Sequence, residues 1–391
     1  VTANGSAMDT RAMDTRDGGA DNRLMAESPF DKVAVIGAGA WGTALAMTAH
    51  RAGRRVSLWA REAEIVEAVA RDRRNPFLPD YPLSPEIAVS GDMAAVVADA
   101  GLVILVVPSQ FLRPMTRAVE AALAPGVPVV ICAKGIETDS GKLMSQIVAE
   151  EMPGRPQAVL SGPSFAAEVA EGQPTAVTIA SEDAVGGAVE ATASLAAKIC
   201  LALGSDNFRP YISDDPVGVE VGGAVKNVLA IACGIADGLG LGSNPRAALI
   251  TRGLAELKRL AEALGGRRET VTGLAGIGDL TLTCSSTQSR NFSFGRALGQ
   301  GQTPQQALAG KKSVAEGAVN ARSVTQLARR LGVEMPICEA VNAILHDGLS
   351  IQDAVQALLT RPIKAESREL EPHVTLPHPS AATEPQPNDM V

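Results

Sequence analysis

Histidine is scarce in this chain: four in 391 residues, at positions 50, 346, 373 and 378, with no two spaced to share a helix face. No zinc centre is therefore expected. Cysteine offers no more to a metal or a disulfide framework, because Cys132, Cys200, Cys233, Cys284 and Cys338 stand apart in apolar surroundings without a C-x-x-C pair. They read as reduced core thiols of a cytoplasmic protein. An excess of base is also missing, with 35 Lys and Arg against 43 Asp and Glu. Without a clustered basic surface to displace counterions, nucleic acid is not an expected partner. Only residues 217–236 approach the length of a membrane span, and they contain Glu220, Lys226 and Asn227. A lysine in hydrocarbon costs roughly 2.5–3.5 kcal/mol, so the stretch reads as a buried helix of a water-soluble core, with no membrane span expected. No Ser-His-Asp, Cys-His or paired-carboxylate pattern is present, which leaves hydrolysis without machinery. The first residues hold acids and no apolar block, so no secretory leader is expected, and Met25 is a candidate start.

What the chain does have is a β-branched run, Val33-Ala34-Val35-Ile36, that breaks into Gly37, Gly39 and Gly42 and continues as a small-residue helix. Gly37 permits a tight strand-to-helix turn, Gly39 lets a pyrophosphate approach the backbone, and Gly42 lets the helix pack on the strand. The helix then aims its leading N–H groups at phosphates. A second apolar run, Val56 to Ala60, completes the βαβ unit of a dinucleotide site. An acidic residue about 20 positions after the glycines usually holds the ribose 2′-hydroxyl in NAD sites; here Arg61 stands near that place and Glu62 follows it. The expected cofactor is NADP or NAD, with NADP or dual use favoured over strict NAD and a solvated Arg61 as the alternative.

Apolar runs near 33–37, 56–60, 102–107, 129–133, 157–160 and 175–180 alternate with helical stretches, as in a doubly wound parallel α/β sheet of the Rossmann type. Leu102 to Val107 is apolar throughout, which suits a strand buried on both faces. After Asp215-Pro216, a cap followed by an N1-like proline, the pattern turns helical at 217–236, 245–264, 303–309, 315–331 and 336–345. The expected organisation is a tail over 1–29, a dinucleotide-binding domain over 30–215, an all-α substrate-binding domain over 216–362 and a tail over 363–391. The first tail carries a tandem Ala-Met-Asp-Thr-Arg and the last five prolines; both lack the apolar surface to offset ordering, so disorder is expected of them.

Candidate chemistry follows the same frame. Lys226 sits in an apolar run where loss of hydration should lower its pKa from about 10.4 toward roughly 7–8, the range of a proton acceptor for an alcohol. A lysine snorkelling from one helix face is the alternative. Beside it, Asn227 could hold a substrate oxygen or a neighbouring backbone group. Lys134 follows a strand at its carboxyl end, where it could polarise a carbonyl or pair with an anion. Gly162 and Ser164 lie in another post-strand loop. Asp279 could hold Lys226 or cap a helix, and Ser289-Arg290-Asn291 offers a hydroxyl, a guanidinium and an amide suited to a small phosphate.

Gly-Ala-Gly-Ala-Trp-Gly at 37–42, Ala-Lys-Gly-Ile-Glu at 133–137, Ser-Gly-Pro-Ser-Phe at 161–165, Val-Lys-Asn-Val at 225–228, Ala-Gly-Ile-Gly-Asp-Leu at 275–280, Ser-Arg-Asn at 289–291 and Val-Ala-Glu-Gly at 314–317 occur in that order. Together they resemble the bacterial-type NAD(P)-dependent glycerol-3-phosphate dehydrogenases over residues 32 to about 360. The resemblance implies reversible reduction of dihydroxyacetone phosphate to sn-glycerol 3-phosphate for glycerophospholipid synthesis, in a cytoplasmic homodimer. It implies catalytic roles for Lys226, Lys134 and Asp279, with Lys226 as proton donor and acceptor. Gly37, Gly39, Ala40, Trp41, Gly42, Arg61, Lys134, Ala166, Arg290, Val314 and Glu316 would contact the cofactor. Lys134, Gly162, Ser164, Lys226, Asp279, Ser289, Arg290 and Asn291 would contact the substrate. Ala167 departs from the pattern, which often has lysine there, as do the long tails. A Rossmann dehydrogenase of a hydroxy acid or acyl thioester, and a catalytically silent NADP-binding sensor, are the other readings of the same glycines.

Overall fold

Strand residues alternate between the two faces of one central sheet, which explains why the runs are apolar throughout. The computed structural model describes residues 29–184, 194–309, 316–364 and 375–376. Strands β1 (Lys32–Ile36), β2 (Arg55–Trp59), β3 (Ala88–Ser90), β4 (Leu102–Leu105), β5 (Val129–Ile131), β6 (Gln157–Ser161), β7 (Thr175–Ala180) and β8 (Phe208–Ser213) form a sheet in the order 3-2-1-4-5-6-7-8. Val33, Val35, Leu102 and Ile104 enter one core layer, and Ala34, Ile36, Val103 and Leu105 the other. The expected parallel sheet holds with one exception: β7 runs antiparallel to β6, with Leu160 opposite Ile179. Two strands escape the sequence reading. β3 has three residues, too few to show a pattern, and β8 carries Arg209 and Pro210 on a partly exposed edge, where proline costs no ladder hydrogen bond.

Helices α1 (Ala40–Arg51), α2 (Ala63–Asp72), α3 (Met93–Val97), α4 (Leu112–Glu120), α5 (Met144–Glu151), α6 (Ala166–Glu171) and α7 (Leu195–Leu203) lie among the strands in sequence. From Pro216 to Leu359 the regular elements of the described chain are helices: α8 (Pro216–Gly238), α9 (Ser243–Ala263), α10 (Asp279–Ser285), α11 (Arg290–Gly299), α12 (Pro304–Leu308), α13 (Glu316–Arg330), α14 (Pro336–His346) and α15 (Ile351–Leu359). The expected start of α8 is realised by Asp215, whose carboxylate accepts from Gly218 N at 2.8 Å. This helix is long and apolar enough to cross a membrane by composition alone, yet 94% of its apolar window is buried inside the protein. It is the axis around which α9 to α14 form a separate hydrophobic core. Residues 1–28 and most of 365–391, expected as tails, lie outside the described residues; Ile363–Lys364 and Thr375–Leu376 form one short antiparallel pairing.

Two buried carboxylates tie helices together. Glu220 on α8 accepts from Ser145 N at 2.7 Å and from its hydroxyl, reaching the first turn of α5. Glu256 on α9 accepts from Ile337 N at 2.7 Å and Cys338 N at 3.2 Å at the start of α14. Burial pushes both carboxyls up to about 7. Between the unfolded value near 4.3 and about 7 the folded chain binds more protons than the unfolded one, so stability falls as pH rises, by roughly 4 kcal/mol per carboxyl at most. Glu220→Gln should therefore flatten the loss of melting temperature between about pH 5 and 8 relative to wild type. A slope unchanged by the substitution would contradict this assignment.

Candidate active site

The first strand ends at Gly37, with φ +118°, where a Cβ would lie 2.4 Å from the Val106 carbonyl oxygen. A Cβ on Gly42 would lie 1.8 Å from the Gly37 oxygen, so α1 approaches the turn only because that side chain is missing. Gly39, between them, has nothing within 4 Å of its Cβ position and caps α1 without a side-chain bond. The leading N–H groups of α1 thus have no capping side chain beside an open edge, the arrangement that receives a pyrophosphate. These residues fit a dinucleotide. Ala40 and Trp41 open α1, and the indole Nε1 of Trp41 is buried without a protein partner. Beyond β2, Arg61 is exposed and donates to Glu62 Oε1 at 3.0 and 2.6 Å. A guanidinium suited to a 2′-phosphate and a carboxylate suited to a 2′-hydroxyl therefore stand side by side.

Asp279 is the point on which the two halves of the chain converge. It opens α10, is 1% exposed, and accepts from Lys226 Nζ at 2.6 Å through Oδ1 and from Lys134 Nζ at 2.8 Å through Oδ2. Lys226 comes from α8, while Lys134 comes from the loop after β5. A Cβ on Gly223 would meet Lys134 Cγ and Ser161 Oγ, each at 3.3 Å, so a bare position on α8 leaves room for the lysine stem. Lys226 Nζ also donates to Thr283 Oγ1 at 3.0 Å. Thr283 sits one turn after Asp279, and its hydroxyl lies 3.3 Å from Asp279 Oδ1. Sequence reasoning missed Thr283, although its four-residue spacing from Asp279 puts both on one helix face.

Burial lowers the Lys226 pKa to about 8, with the charge of Lys134 acting in the same direction and Asp279 and Glu316 opposing it. The snorkelling alternative fails, since Lys226 is buried and ion-paired. At Asp279, burial pushes the carboxyl up, but Lys134 and Lys226 outweigh it and hold the group below its usual range. Glu316, the first residue of α13, is pushed up by loss of hydration against the charges of Arg290, Lys134 and Lys226. One carboxylate thus shares two ammoniums, one of which is poised to release its proton near neutral pH.

The other expected residues surround this cluster. Gly162 lies so close to β7 that a Cβ would be 2.8 Å from Val177 Cα, and Pro163 reaches the Gly278 turn next to Asp279. Ser164 donates its hydroxyl to Gly162 O at 3.0 Å, and Ala166 begins α6. Ser289 caps α11, accepting from Phe292 N at 3.2 Å. Asn291 donates to Asn227 Oδ1 at 3.0 Å and accepts from Gly317 N at 3.0 Å. The compact donor set read from the sequence is therefore partly engaged inside the protein, and the exposed member is Arg290. Gln288, two residues before it, donates to Glu168 on α6 at 3.0 Å, which joins the segment leading into α11 to α6. Val314 lies outside the described residues.

A family model described as NAD-dependent glycerol-3-phosphate dehydrogenase N-terminus matches residues 32–185, and its C-terminal counterpart matches 215–356. The chain belongs to the NAD-dependent glycerol-3-phosphate dehydrogenase family. Curated members named glycerol-3-phosphate dehydrogenase [NAD(P)+] are 52% identical over 338 residues in Rhodospirillum rubrum, covering 86% of this chain and 94% of that protein. The Caulobacter vibrioides protein of the same name is 55% identical over 339 residues, covering 86% and 99%. Among solved structures, the Coxiella burnetii glycerol-3-phosphate dehydrogenase superposes with a TM-score of 0.79 at 41% identity, covering 85% of this chain and 99% of that one. Family membership agrees with the order of motifs along the sheet and the helices.

Proposed function

We propose that this family member interconverts dihydroxyacetone phosphate and sn-glycerol 3-phosphate with NADPH or NADH, a reading supported by its relatives named glycerol-3-phosphate dehydrogenase [NAD(P)+]. The observation that supports the reading most directly is the buried Asp279 that gathers Lys134 from the sheet and Lys226 from α8. When bound, the reduced nicotinamide supplies the hydride that turns the C2 carbonyl into a secondary alcohol. Lys226 delivers the proton to the C2 oxygen from Nζ and takes it back in the reverse direction, a task suited to an acid whose pKa lies near 8. Lys134 stabilises the negative charge developing on that oxygen. Asp279 orients both ammoniums and keeps the pair from repelling each other. Gly162, Ser164, Ser289 and Asn291 border the substrate, and Arg290 holds its phosphate through a charged fork. Gly37, Gly39, Ala40, Trp41, Gly42 and Arg61 receive the dinucleotide, with Lys134, Ala166, Arg290 and Glu316 completing that side.

This reading carries with it a dinucleotide-binding domain over 30–215, a substrate-binding domain over 216–362, a cytoplasmic homodimer and a role supplying glycerol 3-phosphate for phospholipid synthesis. It is tested by following NADPH and NADH oxidation with dihydroxyacetone phosphate and with unphosphorylated dihydroxyacetone. Turnover that requires the phosphate is the expected result, and Arg290→Ala should raise KM for the phosphorylated substrate far more than Kd for the dinucleotide. Equal turnover of both ketones, or none of either with dinucleotide still bound, would contradict the reading.

A further inference from the structure

Asn320 on α13 is fully buried, and nothing in the reaction described above uses it. Its amide nitrogen donates to Lys134 O at 3.2 Å and to Ala224 O at 3.4 Å. One side chain thus joins the backbone of the post-β5 loop to α8, at Lys134 itself and two residues before Lys226. Its Oδ1 has no partner in the protein and faces Gly135, where a Cβ would lie 2.8 Å from it and 2.3 Å from Ser109 Oγ. A fully buried amide aimed into a slot that excludes even a methyl group holds these elements in one relative position. A leucine of similar size would leave two carbonyls without this donor.

We infer that Asn320 is a positioning residue that fixes the Lys134 loop against α8, so that Lys134 and Lys226 reach opposite oxygens of Asp279 at the same time. The inference rests on the assignment of Lys226 as the proton carrier. The charged and titratable groups that face Lys226 are Asp279 and Cys284 on α10, Lys134 after β5 and Glu316 on α13. Releasing Lys134 from Asp279 removes a nearby positive charge and leaves the carboxylate to Lys226 alone. Both changes hold the Lys226 proton more tightly, so the acid limb of glycerol 3-phosphate oxidation moves to higher pH.

The test uses the full chain with Asn320→Leu, which keeps volume, and Asn320→Ala, which carries the test should the first fail to fold. Expected are a fall in kcat approaching 10²-fold, of the size that about 1 Å of misplacement produces, and an upward shift of the acid limb. Dinucleotide Kd, followed by the fluorescence of Trp41 and Trp59, should change far less than kcat, because the glycine turn and α1 stay in place while only the Lys134 contact is disturbed. An acid limb that stays in place in a folded variant, or a kcat within about threefold of wild type, overturns the inference. A flat profile already in the wild type overturns the assignment of Lys226 and this inference with it, whereas a normal wild-type limb that the variants leave unmoved overturns this inference alone.

Discussion

Lys226→Ala should lower kcat by about 10³-fold or more, while dinucleotide affinity stays within about threefold of wild type. The size of the effect follows from three observations that agree. The ammonium is buried; burial brings its pKa down to about 8; and it is held by Asp279 Oδ1 at 2.6 Å and Thr283 Oγ1 at 3.0 Å, which fix the direction of its remaining proton. A lysine of this kind exchanges a proton with an alcohol at neutral pH without strong acid or base. The glycine turn and α1 lie on other elements, so the substitution leaves the dinucleotide site intact. Turnover measured by absorbance, alongside dinucleotide binding by fluorescence, separates the two. A loss below about tenfold would remove Lys226 from the proton transfer, and a matching loss of dinucleotide binding would indicate a misfolded chain.

Asp279→Asn should produce the second large loss, with a different signature. The substitution keeps the shape but leaves two ammoniums facing a neutral amide in a buried site, and breaking a buried ion pair from one side costs roughly 3–5 kcal/mol of stability. The sign of the pH effect is also set. Asp279 raises the Lys226 pKa, so its removal moves the acid limb to lower pH, opposite to the shift expected for the Asn320 variants. The carboxyl itself lies below its usual range in the folded chain. Its contribution to stability is present above the unfolded value near 3.9 and is lost as pH falls through the folded one. Expected results are a fall in kcat of about 10²-fold or more, a lower melting temperature at pH 7, and an acid limb displaced downward. A limb that moves up would contradict the geometry proposed for the cluster.

The sheet, the glycine turn and the long buried helix were legible because each depends on a repeated local signal. Leu102 to Leu105 is apolar on both faces, the glycines stand where side chains would strike the backbone, and Asp215-Pro216 carries its own cap. β8 was not legible because an edge strand tolerates Arg209, Pro210 and an exposed Tyr211. The antiparallel turn of β7 was hidden for another reason: parallel and antiparallel partners select the same apolar residues. At the site, Lys134, Lys226 and Asp279 could be named one by one from apolar context and strand ends. Their meeting on a single carboxylate spans 145 residues of chain between Lys134 and Asp279, and no local pattern encodes such a contact. Asn320 and Thr283 were missed because a buried amide or hydroxyl in a helix looks, in sequence, like any other polar position.

The most direct measurement is the pH dependence of kcat/KM for glycerol 3-phosphate oxidation at saturating dinucleotide, from about pH 6 to 10, in the wild-type enzyme. A proton acceptor near 8 gives a rate that rises with pH and levels off above that value, because only the neutral amine can take the hydroxyl proton. The limb should be missing in the residual activity of Lys226→Ala. A profile that is flat across this range, or a limb that survives unchanged in Lys226→Ala, would contradict the assignment of Lys226 as the group that carries the proton.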